Sequence, residues 1–512
     1  MDFDLIVIGS GFGGAMAAAP AVFAGKRVLM IEAGDWVERG PHNWSYEEFF
    51  ENAPAFERRN SLSVTAEGKS GPLPTFNCVG GASVYFGGVS MRLREADFQP
   101  APEIDQDSGA EWPYTYADLE PFYSEAETLL HVAGSAGVDP TEPPRSRNYP
   151  RPPAPLARIS ARLSDAARAL GLHPFPLPLS INYSTENDRT PCQTCGTCDG
   201  YACAVHSKND VATVLIPRLQ RAGMELLTDT RVVAIDHRDG RAFGVAALPA
   251  SGQVARRFGA RAIVVAAGTL ETPRLLIGSG LDKINTAGDA IGRYLMRHCN
   301  AVVLGVFPTR PAPDQEFHKQ IAIHDYYFGH PTVTAPSGRL GSIQQFATPK
   351  GWILRKRFHG LGRLAGLGAP WTTGFIVMAE DRPSHDNRLE PQAPSDPMTG
   401  WSVTHDYDAR DRAARDALVG AAKRILRRAG ALPWCPVINI PSFSHAVGTV
   451  RLGKNPRTSP LDEFGTFRGV GNLFVTDGSA LPRSGGVNPS LTISANALRT
   501  GHHIVKRLES SL

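Results

Sequence analysis

Residues Phe3–Ile8 (FDLIVI) run straight into Gly9-Ser10-Gly11-Phe12-Gly13-Gly14, and no other stretch of the sequence restricts the fold so tightly. A short, mostly apolar run bearing Val and Ile is the pattern of a parallel strand buried on both faces. The Ala-rich residues 15–24 predict a helix, and Val28–Ile31 predict a second strand ending on Glu32. The unit is β-α-β with a glycine-rich first turn. Gly9 permits the tight turn, Gly11 lets backbone approach a pyrophosphate, and Gly14 lets helix and strand pack closely. The helix start offers free N–H groups and a positive dipole end to phosphate oxygens. Glu32 stands where a carboxylate accepts hydrogen bonds from ribose hydroxyls. Strand, turn, helix and acid in register imply a dinucleotide cradle. Pro20 predicts a bend or an early helix end, because interior proline removes a backbone hydrogen bond.

The segment Gly471-Asn472-Leu473-Phe474-Val475-Thr476-Asp477-Gly478 narrows the dinucleotide. An apolar strand closing on Asp-Gly can return to the first sheet and bring Asp477 and Gly478 near a ribityl chain. A nicotinamide enzyme needs no such contact, so FAD is favoured. A formal charge of +3 (53 basic minus 50 acidic) provides no bulk field for nucleic acid or anionic lipid. No apolar run is long enough to cross a bilayer. The first strand begins by Phe3, leaving no room for a secretory signal, so a cytoplasmic location is expected. Seven cysteines, four of them between Cys192 and Cys203, argue against a disulfide framework.

Cofactor-type segments recur at 1–95, 205–300 and 432–512, which predicts a discontinuous FAD-binding domain. Residues 96–204 and 301–431 then form the substrate domain. Residues 138–155 hold seven prolines and read as a linker or surface wrap. Residues 329–370 are rich in Gly and Pro, with basic Lys350, Arg355, Lys356, Arg357 and Arg363. They read as a solvated insertion or, alternatively, as a lid over the substrate entrance. Residues 410–429 put Ala414, Ala417, Leu418, Ala421, Ala422, Ile425 and Ala429 on one helical face, with a solvated arginine-rich face opposite. A helix followed by a strand around Val233, and a strand running from Ala262 into Gly268, add two cofactor candidates. Val233 is placed to border the adenine and Gly268 to admit the pyrophosphate; packing is the alternative for both.

Two C-terminal segments have the residue types for alcohol chemistry: 444–453 (SHAVGTVRLG) and 485–492 (GGVNPSLT). Oxidising an alcohol requires removal of the hydroxyl proton and a fixed oxygen. Histidine, with a near-neutral pKa, suits the first task. An amide donor suits the second as negative charge develops. His445 and Asn488 are the candidates, although a lone histidine is commonly structural and Asn-Pro commonly a turn.

These segments resemble the glucose–methanol–choline (GMC) oxidoreductases over most of the chain. The resemblance rests on GSGFGG with Glu32, Val79-Gly80-Gly81-Ala82-Ser83, Trp112-Pro113, Leu119-Glu120-Pro121-Phe122-Tyr123, Gly268-Thr269-Leu270-Glu271-Thr272-Pro273, Gly292-Arg293-Tyr294-Leu295-Met296-Arg297-His298 and the C-terminal pair. It implies an α/β (α+β overall) fold, a Rossmann-like FAD-binding domain interleaved with a substrate domain built on an antiparallel sheet with helices. The HxxGTxRxG and GxNPxLT segments look most like pyranose oxidases and bacterial C-glycoside oxidases. That implies His445 as catalytic base, Asn488 as its partner on the substrate oxygen, and FAD contacts from Gly80, Gly81, Ser83, Asn488 and Pro489. The implied reaction takes a secondary hydroxyl of a sugar or glycoside to a ketone, with O2 or another acceptor reoxidising the flavin. A sterol or other apolar-alcohol oxidase of the family, or a flavin-bearing lyase, is the alternative. Fungal pyranose oxidases carry a flavin-linked histidine where this chain has Tyr85, which implies dissociable FAD. Cys192, Cys195, Cys198 and Cys203 have a spacing that can ligate an iron–sulfur cluster or zinc; plain thiols or a structural role are favoured over both.

Overall fold

The computed structural model describes residues 2–510 except 46–55, 186–187, 253, 313–318, 335, 337, 348–349, 358–359, 361, 393–399 and 439–442. The predicted β-α-β unit is present as Phe3–Ile8, Phe12–Phe23 and Val28–Ile31. Its two strands pair in parallel, and every position of Val28–Ile31 is buried, as their unbroken apolar sequence requires. The helix continues through Pro20 and ends three residues later at Phe23, so the proline marks its last turn.

Seven strands form the first sheet, in the order Glu225–Leu227, Val28–Ile31, Phe3–Ile8, Arg256–Val265, Arg241–Pro249 and Thr230–Arg238, with Leu473–Val475 also pairing with Arg256–Val265. The strand Arg256–Val265 has two characters. Its first residues pair antiparallel with Arg241–Pro249, and residues from Ala260 onward pair in parallel with Phe3–Ile8. Leu473–Val475 lies parallel on its other side, opposite Ile263–Val265. Thus the C-terminal Asp-Gly strand does return to the first sheet. Helix Ser490–Glu509 then packs on Phe12–Phe23, where a Cβ on Gly501 would stand 2.6 Å from the Ala17 carbonyl oxygen. Only glycine permits that crossing distance.

The second sheet is antiparallel, in the order Leu432–Ile438, Cys299–Val306, Thr372–Ala379, Gly341–Phe346, Ile321–Ile323 and Phe175–Pro176. Helices Arg158–Arg168 and Ala409–Arg428 bury Ile159, Leu163, Leu418 and Ile425 in a core shared with Ala301, Val303, Phe375 and Val377. The antiparallel sheet with helices is therefore as expected. A third sheet joins Arg388–Pro391, Trp401–His405, Phe56–Ala66 and Lys69–Phe76, so the segment 1–95 also pairs with strands from 301–431.

Two expectations need correction. Residues 329–370 are not wholly a solvated insertion, because Gly341–Phe346 within them is an internal strand whose Ser342, Ile343, Gln344 and Gln345 are buried. The rest of that stretch includes helices Gly351–Arg357 and Gly362–Gly368; the side chains of Lys356 and Arg357 lie outside the described residues. The arginine-rich face of Ala409–Arg428 is not uniformly solvated either. Arg410 and Arg415 are buried, and Arg410 donates to the Glu380 carbonyl at 2.8 Å. A long guanidinium stem can lie in a core when its head reaches carbonyl oxygens. The proline-rich residues 138–155 form neither helix nor strand, as read. No helix among the described residues is long and apolar enough to cross a membrane.

Candidate active site

The glycines of the first turn divide into two kinds. Gly9 adopts φ +94°, and a Cβ there would lie 2.3 Å from the Ala266 carbonyl oxygen. A Cβ on Gly14 would lie 1.9 Å from the Gly9 oxygen, and one on Gly13 2.6 Å from the Thr476 oxygen. These three close chain against chain. Gly11 differs: its Cβ position meets only the Gly80 oxygen, at 3.8 Å. Gly268, at φ +95°, meets nothing within 4 Å. The protein leaves room beside two glycines where a pyrophosphate would need backbone access, so the turn fits FAD. Gly80 and Gly81 back it, the Gly81 Cβ position lying 3.4 Å from the Gly11 Cα.

Glu32, buried, accepts from Ser10 N–H at 2.9 Å and Ser10 Oγ–H at 2.6 Å, and burial pushes its acid up. The same Ser10 Oγ accepts from Gly80 N–H at 2.9 Å. Ser10, the one non-glycine polar residue of the turn, thus ties all three segments together, a role the sequence reading missed. Ser83 Oγ donates to the Gly80 carbonyl at 2.7 Å, and buried Tyr85 stacks on Phe76 at 5.0 Å. Val233 sits partly exposed on Thr230–Arg238.

Asp477 accepts from Gly268 N–H at 2.9 Å and Ser479 N–H at 2.8 Å, with further bonds from the hydroxyls of Thr272 and Ser479. It therefore braces the Gly268 turn against the end of the last strand. A Cβ on Gly478 would stand 2.8 Å from the Ala446 oxygen, which is how closely the histidine segment crosses here. Thr269 Oγ1 donates to that same oxygen at 2.7 Å.

One residue before Ala446, His445 meets the other C-terminal segment. Its Nε2 is 3.2 Å from Asn488 Nδ2, and its Nδ1 is 3.1 Å from Nδ1 of His298. Asn488 directly precedes Pro489, which caps helix Ser490–Glu509 and thereby fixes the asparagine on a rigid element. Gln344 Nε2 donates to Asn488 Oδ1 at 2.7 Å. His445 keeps part of its surface open, whereas His298, Gln344 and Asp381 are buried. Burial, then the neighbouring His298 and Lys319, hold the His445 imidazole well below the ordinary histidine range. His445 and Asn488, paired in the sequence reading, lie side by side. His298 appeared only as the last residue of a motif, and Gln344 carried no motif at all.

Cys192, Cys195, Cys198 and Cys203 line one small cavity together with Lys208 and Ile181, and all four are free thiols. Their loop rests on the Tyr85–Phe86 backbone: Gly200 N–H donates to Tyr85 O at 2.9 Å and Lys208 Nζ to Phe86 O at 2.7 Å. Among the described residues, no group of three or more His, Cys, Asp or Glu is arranged to hold a metal ion.

Family models described as GMC oxidoreductase match residues 159–300 and 383–497. The chain is 31% identical to a 6'''-hydroxyparomomycin C oxidase of Streptomyces lividus, across 99% of this chain and 92% of that one. It is equally 31% identical to a paromamine 6'-oxidase of Streptomyces fradiae, with the same coverage. A 2-methyl-1,2-propanediol dehydrogenase of Mycolicibacterium austroafricanum is 26% identical over 98% of this chain and 95% of that one. Among solved structures, a pyridoxine 4-oxidase superposes with a TM-score of 0.70, covering 98% of this chain and 99% of the other at 19% identity. That similarity speaks for the fold.

Proposed function

The chain belongs to the GMC oxidoreductase family and is an FAD-dependent oxidoreductase; on that footing we propose that it oxidises a secondary hydroxyl of a sugar or glycoside to a ketone, His445 taking the hydroxyl proton and Asn488 holding the oxygen. The supporting observation is the 3.2 Å approach of His445 Nε2 to Asn488 Nδ2, which puts a proton acceptor beside an amide donor. The names of two relatives that match nearly full length, oxidases of paromamine and of a hydroxyparomomycin, support a sugar-bearing substrate. So do those of more distant relatives, a fructose dehydrogenase large subunit and a gluconate 2-dehydrogenase flavoprotein.

FAD, when bound, supplies the hydride acceptor. Gly11 and Gly268 admit its pyrophosphate, with Gly9 and Gly14 shaping the turn; Glu32 accepts from the ribose and Val233 borders the adenine. Gly80, Gly81 and Ser83 support the flavin side, while Asp477, Gly478 and Pro489 hold the backbone near the ribityl chain. The resemblance aligns Tyr85, stacked on Phe76, with the flavin-linked histidine of fungal pyranose oxidases, which supports FAD held without a covalent bond. Acid precipitation should leave the flavin in the supernatant; flavin confined to the pellet would sink this. The four clustered cysteines serve as thiols. Reoxidation is by O2 or another acceptor.

At its substrate the chain's own work is limited to three acts. Asn488 directs an N–H at the hydroxyl oxygen, His445 Nε2 receives the proton, and Gln344 keeps the asparagine from turning. Replacing His445 by Ala should slow anaerobic flavin reduction by about 10²-fold or more, the scale of a lost general base. An unchanged rate would refute the assignment.

A further inference from the structure

Histidine has two ring nitrogens, and a neutral imidazole offers only one of them as a base. Which one is free in His445 depends on what its other nitrogen meets. That nitrogen, Nδ1, meets another histidine nitrogen, so the pair alone does not decide. The decision comes from further back in the structure. Nε2 of His298 lies 2.9 Å from the Gly485 carbonyl oxygen and 3.2 Å from that of Ser484. Carbonyl oxygens only accept, so His298 Nε2 must carry hydrogen. Burial favours the neutral ring in His298, leaving its Nδ1 as a bare acceptor.

The direction then propagates. His445 Nδ1 must donate to His298 Nδ1, and His445 Nε2 is left unprotonated toward Asn488. Asn488 must present its Nδ2 hydrogen there and its Oδ1 to Gln344 Nε2, whose second hydrogen goes to Ser342 Oγ at 3.2 Å. From Gln344 through Asn488, His445 and His298 the bonds run one way and end on two main-chain oxygens. We infer that His298 is a positioning residue that selects the Nε2-basic tautomer of His445, with the carbonyls of Ser484 and Gly485 setting its direction. This rests on His445 being the base.

A second observation supports the role. His298 adopts φ +63°, a left-handed conformation that residues with a Cβ rarely take. It is held there from several sides. Asp381 accepts from the His298 N–H at 3.1 Å and from Ser484 Oγ–H at 2.7 Å, so one carboxylate anchors both the ring's residue and the loop that supplies its acceptor. Tyr407 Oη donates to the His298 carbonyl at 2.7 Å. The bonds orient the ring so that one edge meets the carbonyls and the other meets His445. When Nε2 of His445 gains a proton, its Nδ1–H bond to His298 stays in place.

The test is a tautomer measurement on the holoenzyme labelled with 15N-histidine, with the His445 signals assigned by their loss in His445→Ala. The wild type should show His445 protonated at Nδ1 and bare at Nε2. His298→Leu should shift it toward the Nε2–H form and slow flavin reduction about 10²-fold. His298→Asn, whose Oδ1 can accept from Nδ1–H, should restore most of both. Nε2–H in the wild type would overturn the inference, whether or not the variants fold. So would an unchanged His445 tautomer in a folded His298→Leu. If His298→Leu shows the Nε2–H form yet reduces flavin at the wild-type rate, the base assignment of His445 fails while the tautomer control stands.

Discussion

Replacing Gly11 by Ala separates what the turn does for the protein from what it does for FAD. Gly11 has φ −65° and ψ −168°, an extended conformation open to alanine. Its Cβ would meet nothing closer than the Gly80 oxygen at 3.8 Å, an ordinary contact distance. The apoprotein therefore suffers no clash, and a compatible Gly-to-Ala change stabilises by about 0.4–1 kcal/mol by restricting the unfolded chain. The methyl group enters the open space beside Gly11 that the proposed function assigns to the pyrophosphate. Pushing that group outward breaks at least one hydrogen bond to a charged oxygen, worth about 1.5–3 kcal/mol. Each 1.4 kcal/mol is roughly tenfold in affinity, so the FAD dissociation constant should rise roughly 10- to 150-fold. Fluorescence titration of apoprotein with FAD measures the affinity, and thermal unfolding without FAD measures the rest. Gly14→Ala is the contrast, because its Cβ would lie 1.9 Å from the Gly9 oxygen and should destabilise the apoprotein itself. A Gly11→Ala protein that binds FAD as tightly as wild type would show that backbone access at Gly11 is not needed.

Three other outcomes follow from groups already placed. Because His445 is held well below the ordinary histidine range, its base form persists on acidification, and the acid limb of kcat/KM should lie below pH 6.5; a limb at or above that value would contradict it. Gln344→Leu leaves the buried Asn488 Oδ1 without its donor, a loss of about 1–3 kcal/mol, and should slow flavin reduction by up to roughly 5- to 150-fold with FAD still bound. A wild-type rate would show that Asn488 holds itself. Burial, aided by Asp381 and Asp408, raises the Asp411 carboxyl from 3.8 to about 8. The folded state then keeps a proton the unfolded state has lost between those values, so this contribution to stability is full below pH 3.8 and disappears as pH rises through about 8. Asp411→Asn should raise the melting temperature relative to wild type more at pH 9 than at pH 5.5, and an equal difference at both would refute it.

The β-α-β turn was legible because its pattern is contiguous in sequence: Gly14 closes on Gly9 and Val7 of the same unit, whereas the partner of Gly9, Ala266 just past the strand Arg256–Val265, could not be read locally. His445 and Asn488 were legible as residue types suited to one chemistry, although 43 positions separate them. What could not be read was the layer behind them. Gln344 reaches Asn488 only because Gly341–Phe346 pairs between Ile321–Ile323 and Thr372–Ala379, a register set by the whole sheet. The glycine and proline content around that strand pointed to a loop, while burial of alternate apolar and polar side chains made it central. Arg410 and Arg415 misled for a related reason, since a helical periodicity counts arginine as outward-facing and takes no account of acceptors within reach, the Glu380 carbonyl for Arg410 and the Asp416 carboxylate for Arg415.

The strand Leu473–Val475 and the helix Ser490–Glu509 complete a sheet and a helix pair begun by the first twenty-three residues. For a chain made from its N-terminus on a ribosome, this has a temporal meaning. The glycine-rich turn emerges well before Thr476 and Asp477, which close its flank at Gly13. Pairing across so large a sequence separation is slow and leaves apolar strand edges open while it waits. A chain cut short before residue 473 has the glycine signature yet lacks the strand whose following residues, Thr476 and Asp477, close the flank of that turn.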